Sequence, residues 1–201
     1  MTMGVDVVII GAGPAGMSAA NTINKFGGNV VVLDEQAAPG GQIYKAIDHV
    51  RHDRPNELMW LGPTYSEGAR LTEKFGSQEI DYRPGSMVWN IEGPTSDGFY
   101  TVYYSRTGKS RKLVTGYIIA ATGAMERPVP IPGWTLPGVM TVGAIQSVMK
   151  NSGIYPSSKL ILAGTGPLVL QLANQLIAAN VDIAAILDTS CLLYTSPSPR
   201  D

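Results

Sequence analysis

Residues 5–10, VDVVII, form a short apolar run that a glycine stops, which fits a strand buried on both faces rather than one alternating between core and solvent. Ala15 to Phe26 then reads as a helix, with small Ala15, Ala19 and Ala20 on it and Gly27 as its stop. Asn29 to Leu33, NVVVL, is a second buried strand, so the chain opens as a βαβ unit. From Pro39 to about Tyr65 the pattern loses its period, punctuated by PGGQIY, RHDRP and LGP, and a loop-rich connection is expected before a helix over Ser66 to Phe75. Ile80 to Glu92 and Phe99 to Tyr104 read as strands, and SRTGKS turns the chain into a further strand over Lys112 to Ala121. That is an antiparallel excursion returning to the sheet. The aromatic run FYTVYY alternates, one face to the core and one to the surface. ERPVPIPGWTLPG is too rich in proline for a strand or helix and reads as a crossing linker into a short helix at Val142 to Asn151. KLILAGTGPLVLQLANQLIAANVDIAAILD then repeats strand, glycine turn, helix and strand. The expectation is an α/β protein: a Rossmann-like three-layer domain with an antiparallel β excursion, followed by the start of a second Rossmann-like domain.

Composition narrows the partners. The 201 residues are 44% hydrophobic and 15% charged, with 15 Lys and Arg against 16 Asp and Glu, so no basic field steers nucleic acid or an anionic membrane. No segment approaches the roughly 20 apolar residues of a membrane span, and the N-terminus lacks the pattern of a signal peptide. A cytoplasmic protein with no nucleic-acid partner and no transmembrane segment is expected.

The first candidate chemistry is GAGPAG. Gly11, Gly13 and Gly16 have the spacing of a dinucleotide fingerprint: the first for a tight turn, the second for approach of backbone to a diphosphate, the third for close helix–strand packing. Pro14 and Ala15 start the helix, where a missing amide hydrogen is tolerated and the positive end faces the diphosphate. The acid that should accept hydrogen bonds from a ribose diol is Asp34 or Glu35, with Asp34 eighteen residues after Gly16. NAD and FAD can both use such a turn. The second copy keeps Gly164 and Gly166, but Val169 stands at the third position and only Asp188 follows as an acid. A β-branched residue there argues against NAD(P), and a degenerate or differently occupied turn stays open as the alternative. Two features are read as carrying no chemistry. GKS at 108–110 follows Tyr103 rather than the glycine of a phosphate loop, and His49 and His52 in DHVRHDR read as a solvated loop, so no metal site is expected. No residue can be assigned as catalytic.

VDVVIIGAGPAGMSAA, PGGQIY at 39–44 and YIIAATGAMERPVPIPG at 117–133 resemble, in order, three segments of the flavoprotein family with two dinucleotide-binding domains. The resemblance implies FAD on the first turn, an FAD-binding domain over residues 1–130 and the start of a second nucleotide-binding-type domain over 131–190. It places Gly40, Gly41 and Gln42 beside the flavin, Thr122 and Gly123 closing over the cofactor, and Val88 where backbone meets adenine, although Val88 reads equally as core. More narrowly, GGQIYKAI, ERPVPIPGWTLPGVMTVGA and AGTGPLVLQLANQL look like the FAD-binding alpha subunits of opine oxidases, hydrogen cyanide synthase and dye-linked proline dehydrogenases. That implies a subunit of a hetero-oligomer, paired with a second flavoprotein subunit, oxidising an amine or amino-acid derivative at a CH–NH bond and relaying electrons to an acceptor. The alternatives are an NAD(P)H-dependent flavin reductase feeding a ferredoxin-like carrier, and a flavin relay subunit without a substrate site. Residues 1–190 hold no cysteine, which excludes dithiol chemistry if Cys191 is not native. CLLYTSPSPRD, 191–201, matches a transposase sequencing adapter read in frame, so a non-native tail on a truncated reading frame is expected.

Overall fold

The computed structural model describes residues 5–188, so Cys191 and the tail lie outside the described residues. Contacts divide the chain into two compact units: one holds the residues up to Asp53 with Thr64–Met125, the other Arg54–Pro63 with the residues from Glu126 on.

In the first unit β1 (Val5–Ile10), α1 (Pro14–Lys25) and β2 (Val30–Asp34) form the expected βαβ opening, with β2 buried at every position. β3 (Asp81–Pro84) extends the sheet parallel to β2, while β4 (Ser86–Glu92), β5 (Tyr100–Arg106) and β6 (Lys109–Ala120) form an antiparallel meander. β6 is long enough to serve twice: its first half pairs antiparallel with β5 and its second half parallel with β1. The sheet order is β3-β2-β1-β6-β5-β4. One face of the parallel strands, with Ile9, Val30 and Val32, packs on Met17 and Ala20 of α1 and on Phe75. The other face, with Val8, Val31 and Leu33, is covered by Val102 and Tyr104 of the meander. Helix, parallel sheet and meander make three layers, and the chain has the Rossmann-like α/β architecture its pattern implied.

Two stretches differ from the sequence reading. The expected single strand over Ile80 to Glu92 is cut by Gly85 at φ +66°, which sends β3 and β4 to opposite edges of the sheet. The irregular connection before it is largely helical, with α2 (Ile47–Asp53), a 3-10 turn (Pro55–Glu57), α3 (Leu58–Leu61) and α4 (Pro63–Ser66), and it leads into α5 (Gly68–Gly76), the helix expected over Ser66 to Phe75. Helices of four to seven residues bury too few side chains to show a period. His49 and His52 therefore lie on a helix rather than a loop, and His49 pairs with Asp53 one turn on. No group of His, Cys, Asp and Glu able to hold a metal occurs among the described residues.

In the second unit β7 (Leu160–Gly164) pairs parallel with β8 (Ile183–Asp188), covered by α6 (Val142–Ser152) and α7 (Pro167–Ala178) around Met149, Leu162, Leu172 and Leu176. The inserted segment 54–63 belongs to this packing: Trp60 lies against the cluster and the Gln175 amide donates to Leu61 O at 3.0 Å. No helix among the described residues is long and apolar enough to cross a membrane.

Candidate functional site

Four segments distant in sequence meet at the C-terminal end of β1. Gly11 leaves the strand at φ +103°, donating its N–H to Leu33 O at 2.7 Å, and a Cβ there would lie 2.4 Å from Ala121 O. Only glycine fits that turn. Ala121 in turn donates to Ile10 O at 2.8 Å, setting Thr122 and Gly123 beside the turn. A Cβ on Gly16 would lie 1.9 Å from Gly11 O, so the third glycine holds α1 against the end of β1. From the other side Gly40 donates to Ala12 O at 2.8 Å, and Gly41, at φ +59°, presses so close that a Cβ would come 2.9 Å from Gly13 Cα.

Gly13 differs from all of these. Its φ is −73°, which any residue adopts, and a Cβ on it would meet only Gly41 Cα at 3.9 Å. The fold itself does not need glycine there. Gly13 is also the N-cap of α1 and supplies no side-chain cap, while Pro14 fills the first position, so the first-turn amides face the gap without a side-chain acceptor. Exposed Ala15 lies on that turn. A helix N-terminus with no side-chain cap and room beside it suits a diphosphate.

The two candidate acids part company. Asp34 is 5% exposed, its Oδ2 accepting from Ala12 N at 2.6 Å and its Oδ1 from Gln36 N at 2.8 Å. It braces the turn from within. Glu35, on the next position of the strand's alternation, is exposed and engages only the neighbouring Gln36 amide at 3.3 Å. Adjacency in sequence hid this division; the alternation of β2, which puts Val30, Val32 and Asp34 on the α1 side, is the signal that separates them.

Gln42 is exposed on the loop after Gly41, and Gly123 sits at φ +77° with open space around it. Val88 is half-buried against the Tyr104 cluster and opposite Tyr104 in register, while Gly85, just before β4, donates its N–H to Gln36 O at 3.1 Å beside the acid segment. Two residues escaped the sequence reading. Lys45 Nζ donates to Gln36 Oε1 at 3.4 Å. Tyr82, on β3, packs edge-on against Phe75 with its hydroxyl buried and unpartnered; burial first, and the nearby Asp34 charge second, push its ionisation above a phenol's ordinary range.

The second glycine turn does not copy the first. Gly166, the counterpart of Gly13, has φ +88°, and Val169 puts its Cγ2 3.1 Å from where a Cβ on Gly164 would sit. The valine is 7% exposed and belongs to the core of its unit. Asp188 stands opposite Gly164 in the strand register.

Comparison with known proteins identifies relatives of the chain. The chain is 45% identical over 188 residues to an opine oxidase subunit from Rhizobium meliloti, covering 92% of this chain and 35% of that one. It is 36% identical over 195 residues to hydrogen cyanide synthase subunit HcnB of Pseudomonas protegens, covering 94% and 39%. L-proline dehydrogenase from P. horikoshii shares the fold, with a TM-score of 0.70 at 21% identity over 92% of this chain and 36% of that chain. The chain thus spans a little over a third of the length of the curated relatives it matches. These likenesses bear out the resemblance carried by the three motif segments. Residues 5–199 match the family model for pyridine nucleotide-disulphide oxidoreductases, and the chain belongs to that family.

Proposed function

We propose that this chain forms part of a cytoplasmic FAD-dependent oxidoreductase subunit, working beside a second flavoprotein subunit in a complex that oxidises an amine or amino-acid derivative at a CH–NH bond. The observation that carries the FAD assignment is Gly13: packing and backbone conformation leave the position open, so its glycine answers to a ligand rather than to the fold. Gly11, Gly13, Pro14, Ala15 and Gly16 would hold the diphosphate and Glu35 the ribose diol, with Asp34 fixing the turn. Gly41, Gln42, Thr122 and Gly123 would line the flavin side, and Val88 would offer backbone to adenine. Bound FAD supplies a two-electron acceptor. The amine class and the partner subunit rest on the similarity to HcnB and to a component of opine oxidase. Val169 in the second turn supports an amine donor over NAD(P)H, because its side chain occupies the space a third glycine leaves for close helix approach.

Titrating the purified chain with FAD tests this reading. Saturable binding is expected, with flavin absent from a folded Gly13→Val variant; stoichiometric flavin in that variant overturns the assignment. In the complete complex, opines or proline should bleach the flavin anaerobically and NADH or NADPH should not. Bleaching by a nicotinamide alone would favour the reductase.

A further inference from the structure

We propose that Lys45 pairs with a phosphate of the nucleotide held on the first glycine turn. This rests on the dinucleotide reading of that turn. The segments that frame it, residues 11–16, 34–36, 40–46 and 121–123, contain Asp34 and Glu35 but no Arg and no Lys other than Lys45. A diphosphate brings about two negative charges, and the end of a helix offers roughly half a positive one, so backbone amides alone leave the ligand's charge mostly uncompensated.

Lys45 is placed for the task. Its backbone is fixed on both sides: Tyr65, 4% exposed, donates its hydroxyl to Lys45 O at 2.7 Å, and the preceding residue's N–H donates to Gly40 O at 3.0 Å. Gly40 in turn is tied to Ala12 of the turn. The side chain is half-buried, and its ammonium meets only a neutral acceptor, Gln36 Oε1, at 3.4 Å. No carboxylate among the described residues pairs with it, whereas Arg51, Arg54, Arg83 and Lys159 each have one. A long, weakly anchored amide contact on a flexible four-carbon stem leaves a point charge able to swing to a phosphate.

ADP and adenosine separate this role from a structural one. Isothermal titration of the purified chain should show Lys45→Gln weakening ADP about tenfold, with adenosine affinity and the melting temperature of the ligand-free chain unchanged. Lys45→Arg should recover most of the loss, and the salt dependence of ADP binding should flatten in Lys45→Gln. Unchanged ADP affinity, or equal losses for ADP and adenosine, overturns the proposal while leaving the dinucleotide reading standing. A wild-type chain that binds neither ligand overturns that reading itself, and this proposal with it.

Discussion

Asp34 and Glu35 are neighbouring carboxylates with separate work, and substitution should pull the two roles apart. Asp34→Ala strips the acceptor from the buried Ala12 N–H, so the ligand-free chain should lose about 1–3 kcal/mol in urea unfolding. Glu35→Gln, at an exposed site, should leave the unfolding midpoint within about 0.5 kcal/mol of wild type and weaken adenosine in a binding titration. If instead Asp34→Ala unfolds normally and abolishes adenosine binding, the brace and the ribose acid have been assigned the wrong way round. The sequence motif could narrow the acid only to this pair. What decides between them is a backbone donor contributed by residue 12, and no spacing rule reports where a turn's own N–H will point.

At the scale of elements, the legible parts were those whose pattern follows from being buried on both sides. β1, α1 and β2, and their echo in β7, α7 and β8, were recovered because continuous apolar runs and paired glycines leave few other solutions. The break at Gly85 and the helices between Ile47 and Ser66 were not, since one glycine in a strand and single-turn helices carry too little periodicity. The glycines of the first turn also divide at this scale. Gly16 welds α1 to β1, and Gly16→Ala, which drives a Cβ into Gly11 O, should cost about 1–3 kcal/mol or more. Chemical denaturation checks it; a wild-type midpoint in Gly16→Ala would show that helix and strand can separate freely there.

Across the whole molecule the chain passes between its two units at 53/54, 63/64 and 125/126, so each unit is built from discontinuous sequence. Segment 54–63 carries its own anchors in the second unit: Arg54 pairs with Glu57 at 2.7 Å and donates to Lys150 O, near the C-terminal end of α6, at 2.6 Å. Composition and pattern gave no hint of this insertion, because its hold comes from hydrogen bonds to residues some 96 and 114 positions away. Arg54→Ala should raise hydrogen exchange in the last turn of α6 by about tenfold and leave α1 unaffected. Equal acceleration in both helices would mean that the two units open as one cooperative body.

The emptiness around Gly13 has a genetic consequence. Selections that score only soluble, folded protein should accept serine at this codon as readily as glycine, while they reject almost everything at codons 11 and 16. A library passed first through a folding reporter and then through a screen for yellow colonies would therefore lose diversity at position 13 only in the second round. The round in which a codon narrows would distinguish residues retained to make the chain collapse from those retained for the molecule it carries.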